Sequence, residues 1–133
     1  MKKFYSVLIS LVFFVGFTAS AATSEDSKIF EMRTYTTYDG KLDNLLSRFR
    51  DHTMTIFEKH DMQNIGYWIP EDQENTLIYI IAHNSKAAAE QSWKAFIADP
   101  QWQAAYTASI ADGKLVSDIE SVFMHSTDFS PLK

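Results

Sequence analysis

The chain has 133 residues, with 17 Asp and Glu against 12 Lys and Arg, a net charge of -5, 46% hydrophobic residues and no cysteine. Such an acidic balance opposes binding to nucleic acid or to anionic lipid headgroups, and the fold must hold without disulfides. The length suits one domain and is short for two.

Lys2 and Lys3 precede an apolar run from Phe4 to Phe17, and Ala19, Ser20 and Ala21 follow it. That order is the pattern of a secretory signal peptide. Ser6 and Ser10 interrupt the run, which is shorter than the ~20 apolar residues that span a bilayer. Cleavage is expected after Ala21 or Ala22. Residues 1–22 are therefore assigned to a removed leader, 23–27 to a flexible lead-in and 28–131 to the domain. The leader takes two lysines and no acid with it, leaving a mature charge of -7. The expected destination is the periplasm or the medium, with no membrane association after cleavage.

From Ile29 to Thr37, Phe30, Met32 and Thr34 alternate with Glu31, Arg33 and Tyr35, which predicts a first strand. Tyr38, Asp39 and Gly40 turn the chain, with Asp39 the expected helix cap. Leu42, Leu45, Leu46, Phe49, Thr53, Ile56, Phe57 and His60 then recur at three- and four-residue spacing, one stripe down a helix of about five turns. Arg48 and Arg50 fall off that stripe, on the expected solvent side. Gln63 to Ile69 and Thr76 to His83 predict a hairpin. Ala89, Trp93, Phe96 and Ile97 mark a second helix capped by Asn84 or Ser85, and Asp99-Pro100 restarts it through Trp102, Ala105, Tyr106 and Ile110. Ser117 to Thr127 alternates again, with Ile119, Phe123 and His125 opposite Glu120, Val122 and Met124.

The order strand, helix, strand, strand, helix, strand is the α+β, ferredoxin-like βαββαβ arrangement, a four-stranded antiparallel sheet with helices on one face. Tyr35, Tyr67, Trp68 and Tyr79 are many large rings for an uncovered sheet face, so a second copy is expected to cover it. Two such sheets close a barrel.

KIFEMRTYTTYDGKLDNLLSRFRDHTMTIFEKHDMQNIGYW, NTLIYIIAH, SWKAFIADPQWQA and ESVFMHSTDFSP, in that order from about Lys28 to Pro131, resemble the NIPSNAP family. The resemblance implies membership of the dimeric α/β-barrel group, which also holds cofactor-free monooxygenases and haem-handling enzymes. It implies a fold and a dimer and names no reaction. Asp61 follows His60 where similar sequences place Gly, and Asp tolerates the left-handed conformation needed there.

Glu31, Arg33 and Tyr35 share one face of the first strand, assigned to the side away from the helices. There they would hold a carboxylate or polarise a carbonyl; the structural alternative is that Arg33 neutralises Glu31 or Glu120 or crosses the dimer interface. Tyr67, Trp68 and Tyr79 are expected to add an aromatic wall. His52 borders the helix stripe and is the candidate for proton transfer, whereas His60 is expected to be a hydrogen-bonded helix-end residue. His52 and His60 point about 80° apart, and His83 and His125 stand alone, so no metal site is expected. Trp93, Phe96 and Trp102 are first of all core. Without Gly-x-Gly-x-x-Gly, a phosphate loop or Gly-x-Ser-x-Gly, no organic cofactor is expected. The function that follows is an exported homodimer that binds, and converts at most without a cofactor, a small hydrophobic or aromatic molecule in the barrel. A non-catalytic protein–protein interaction module is the alternative, and haem handling a third reading.

Overall fold

The computed structural model describes residues 27–133, so the predicted leader and nearly all of the lead-in lie outside the described residues. Strands β1 (Ile29–Thr37), β2 (Gln63–Trp68), β3 (Thr76–His83) and β4 (Val116–His125) form one antiparallel sheet in the order β2-β3-β1-β4. Helices α1 (Leu42–Arg48) and α2 (Met54–Lys59), joined by a π-helical segment (Phe49–Thr53), and α3 (Lys86–Ala98) and α4 (Pro100–Ser109) complete the chain. This is the expected ferredoxin-like arrangement. Among the described residues no helix is long and apolar enough to cross a membrane.

Directly paired residues of antiparallel strands point to the same side of the sheet. Arg33 lies opposite Tyr79 and Ser121, and Tyr35 opposite Leu77 and Ile119. Tyr35 meets the helical layer at the Phe49 ring, 5.9 Å between centroids. Glu31, Arg33 and Tyr35 therefore face the helices, which reverses the side expected for them. The alternation was correct in phase and silent on direction, because both faces of β1 mix polar and apolar residues. The outer face instead carries Phe30, Met32, Thr34, Ile78, Ile80, Val122 and Met124. Trp68 joins them, and its indole lies over Gly66, where an added Cβ would sit 2.5 Å from the ring.

The core gathers Tyr35, Leu45, Phe49, Ile56, Phe57, Met62, Leu77, Tyr79, Ile81, Phe96 and Leu115. The stripe of the first helix supplies four of these, Leu45, Phe49, Ile56 and Phe57, but the helix is not uniform. Through Phe49–Thr53 it opens to π geometry, the Met54 amide donating to the Phe49 carbonyl. An inserted residue of this kind shifts the register of everything before it relative to everything after. Arg48 is thereby buried, not solvated as its place beside the stripe suggested.

Ser85 caps α3 by accepting from the Ala88 amide at 3.0 Å, and Asp99 caps α4 by accepting from Gln101 at 2.8 Å with Pro100 in the first turn. Asp39 does not cap α1; it accepts from the Asn75 side-chain amide. Asp61 adopts φ 58°, the left-handed turn its position required.

Candidate functional site

Two buried charged groups lie on the helix-facing side of the sheet. The first is Glu31, whose Oε1 accepts from Arg33 Nη1 (2.8 Å) and Ser121 Oγ (2.8 Å) and whose Oε2 accepts from Trp93 Nε1 (2.7 Å) and the His83 Nε2 nitrogen (2.9 Å). Burial pushes this carboxyl up, but the donors at His83, Trp93, Ser121 and Arg33 outweigh it and bring its pKa to about 2. Arg33 also stacks on Trp93, 4.3 Å from the ring centroid. Both carboxylate oxygens are used, so nothing remains for a ligand. His83 and Ser121 were missed in the sequence, although the β3 run Leu77, Tyr79, Ile81, His83 already put His83 on the core side.

The second charged group is Arg48. It closes one wall of a chamber of about 390 Å³ between helices and sheet, lined chiefly by Tyr35, Phe49, Trp93, Phe96, Trp102 and Tyr106. Its Nη1 donates to Ser109 Oγ at 3.1 Å, and its guanidinium lies 5.1 Å from the Trp102 ring and 5.4 Å from the Tyr106 ring. Its Nε is buried without a partner. Among the described residues no carboxylate lies within ion-pair distance of it. Burial pushes the guanidinium down from its ordinary value, against an opposing pull from the phenols of Tyr35, Tyr106 and Tyr79. The π segment points Arg48, Phe49 and Thr53 at the same chamber, with Thr53 Oγ1 donating back to the Arg48 carbonyl at 3.2 Å.

A phenol pair stands beside it. Tyr79 donates to the Tyr35 oxygen at 3.1 Å, and burial, reinforced by Tyr35, raises the Tyr79 phenol well above its usual range. Tyr67 stacks on Tyr79 at 5.4 Å. Of these rings, only Tyr35 lines the chamber.

The structure thus brings Glu31, Arg33, Tyr35, Tyr67 and Tyr79 to one side of the sheet, under the helices and inside a single chain. Trp68 is on the opposite side, half exposed. His52 is exposed in an outer groove with Lys41, Asp51 and Ala108; Arg48 forms the wall between that groove and the aromatic chamber, which His52 does not line. The π segment turns it outward while turning Arg48 in. His60 ends its helix bonded to Asp99 at 2.7 Å. Trp93 and Trp102 pack on the core and also line the chamber, while Ile97, expected on the α3 stripe, is exposed. Among the described residues no cluster of three or more His, Asp or Glu could hold a metal ion.

The family model described as NIPSNAP matches residues 30–131. A NIPSNAP family protein of unknown function from Agrobacterium tumefaciens superposes with a TM-score of 0.71 at 27% identity, covering 81% of this chain and 96% of that one. An uncharacterised NIPSNAP domain protein from Burkholderia xenovorans gives 0.67 at 26% identity, covering 77% and 98%. A putative antibiotic biosynthesis monooxygenase from Chloroflexus aurantiacus gives 0.56 at 12% identity, covering 80% and 100%, a likeness of fold alone. No curated protein matches the chain.

Proposed function

The chain belongs to the NIPSNAP family, and since the fold of that family leaves its chemistry open, we propose from the chamber itself that this protein binds a small, largely aromatic molecule between its helices and its sheet. The observation that carries this is the chamber's size and lining. Protein interiors pack to crystal density with few voids, whereas about 390 Å³ bounded by Tyr35, Phe49, Trp93, Phe96, Trp102 and Tyr106 falls in the range of small-molecule pockets. The rings that line most of the chamber favour a flat apolar guest, with the 114–119 segment forming its open side. Native mass spectrometry of protein purified from its own cells tests the reading. A discrete adduct that leaves on denaturation is expected; the same bare mass before and after denaturation would sink it.

The outer face supports a second part of the proposal, that two copies pair there. Met32, Ile78, Ile80, Val122 and Met124 form an apolar surface extended by Trp68, which in water favours cover. Light scattering of the parent is expected to give the mass of a dimer. Ile80→Asp is expected to give monomer or aggregate, because an unpaired charge is expensive to bury. A stable parent monomer at micromolar concentration removes this part. Export after cleavage at Ala21 or Ala22 completes the proposal, and the intact mass of the fractionated protein checks it.

A further inference from the structure

Resting on that reading, we propose that the guest of the chamber is an aromatic acid, its carboxylate taken by the guanidinium of Arg48 and its ring by the surrounding aromatic side chains. Three features of the site select that class. Arg48 is 5% exposed, yet among the described residues its only hydrogen bond to a side chain goes to a neutral hydroxyl and its Nε has none. A buried cation ordinarily has a paired anion. The one acidic residue that lines the chamber, Asp118, is exposed, and it makes no ion pair with Arg48. The fork of a guanidinium matches the planar oxygen pair of a carboxylate.

The π segment is the second feature. A helix that continued in α geometry through Phe49–Thr53 would keep all its hydrogen bonds in the ordinary ladder; here the ladder is broken at the point where Arg48 must enter the chamber. Such insertions recur at functional sites. The third feature is Tyr35. Its oxygen already accepts from Tyr79, which leaves its own O–H to donate to a guest oxygen. Arg48 is the buried cation of the lining, whereas Lys114 and Tyr106 sit at its exposed edge; one buried guanidinium beside the Tyr35 phenol suits a monoanion.

The test uses the full mature chain with Trp68→Phe, which removes the one tryptophan on the outer face and leaves Trp93 and Trp102 to report on the chamber. Benzoate, phenylacetate and 1-naphthoate are titrated against benzamide, phenylacetamide and 1-naphthamide, with tryptophan emission and calorimetry as readouts. At least one acid is expected to bind ten-fold or more tightly than its own amide. Arg48→Met is expected to bring the pair within two-fold of each other, and Arg48→Lys, which keeps the charge and loses the fork, to fall between. Acid and amide binding equally to the parent overturns the choice of an acid while leaving the aromatic chamber standing. An acid preference unchanged in Arg48→Met places binding elsewhere and also overturns it. No response from any of the six compounds takes down the chamber reading and this proposal together.

Discussion

Glu31 and Arg48 are both buried, both charged and both on the helix-facing side of one sheet, and they are treated in opposite ways. Glu31 receives four donors from β1, β3, β4 and α3 and is left with no free oxygen. Arg48 receives one hydroxyl and two aromatic faces. The first arrangement ties the sheet to α3 and closes that region. The second leaves a charge directed at open space, which makes sense when something arrives from outside to meet it.

The sharpest way to break this contrast is to remove Glu31. Glu31→Ala leaves the partly buried Arg33 without its counter-ion and strips partners from the buried His83 and from Ser121 and Trp93, so a loss of about 3 kcal/mol is expected by chemical denaturation. Acid should reach the same bond more gently. The folded carboxyl titrates at about 2 against an ordinary 4.5, so its contribution is complete above pH 4.5 and drains away as the pH falls toward 2. The parent should lose stability across that window, and Glu31→Gln should show a shallower slope there. Parallel slopes would mean that the Glu31 network does not govern acid stability.

Neutral core residues calibrate the two charges. Leu45 is fully buried, so Leu45→Ala should cost about 2 to 5 kcal/mol. Leu46, its neighbour on the same predicted stripe, is only partly buried, and Leu46→Ala should cost clearly less, under about 2 kcal/mol. Equal losses would mean that Leu46 is packed as deeply as Leu45 and that the two are not divided between core and edge. Smaller again is Tyr79→Phe, which removes the donor to Tyr35 without opening a cavity. A loss of about 0.5 to 1.5 kcal/mol is expected, and thermal melting with no measurable change would argue that the phenol pair is not formed.

The strand and helix order was legible because period-two and period-3.6 patterns are local, as were the caps at Ser85 and Asp99 and the turn at Asp61. Which side of the sheet Glu31, Arg33 and Tyr35 face was not. Alternation carries phase, and direction is decided by the helices that cover the sheet, whose rings meet Tyr35 and whose Trp93 reaches Glu31. Arg48 was lost for a related reason. A charged residue beside an apolar stripe belongs to solvent under a constant helical period, and only the π segment moves it inward. The same shift removes His52 from the chamber. From the sequence, a cation with aromatic neighbours is expected at Arg33; in the fold Arg33 is paired with Glu31, and Arg48 is the buried arginine that lines the chamber.

The smallest expected effect on stability is the most informative. Arg48→Met keeps a long flexible stem against Trp102 and Tyr106 and deletes the charge. What is lost is one neutral hydrogen bond of about 1 kcal/mol and ring contacts of about 0.5 to 2 kcal/mol. What is gained is relief from burying an ion, whose penalty is on the order of several kcal/mol in a protein interior. These oppose one another closely, so the variant should melt at or slightly above the parent, within about 1 kcal/mol. Removing one buried charge would then cost several kcal/mol and removing the other almost nothing, as expected if the first serves the fold and the second awaits a guest. A loss above about 3 kcal/mol would place Arg48 with Glu31 as a structural charge, and the chamber would lose its anion site.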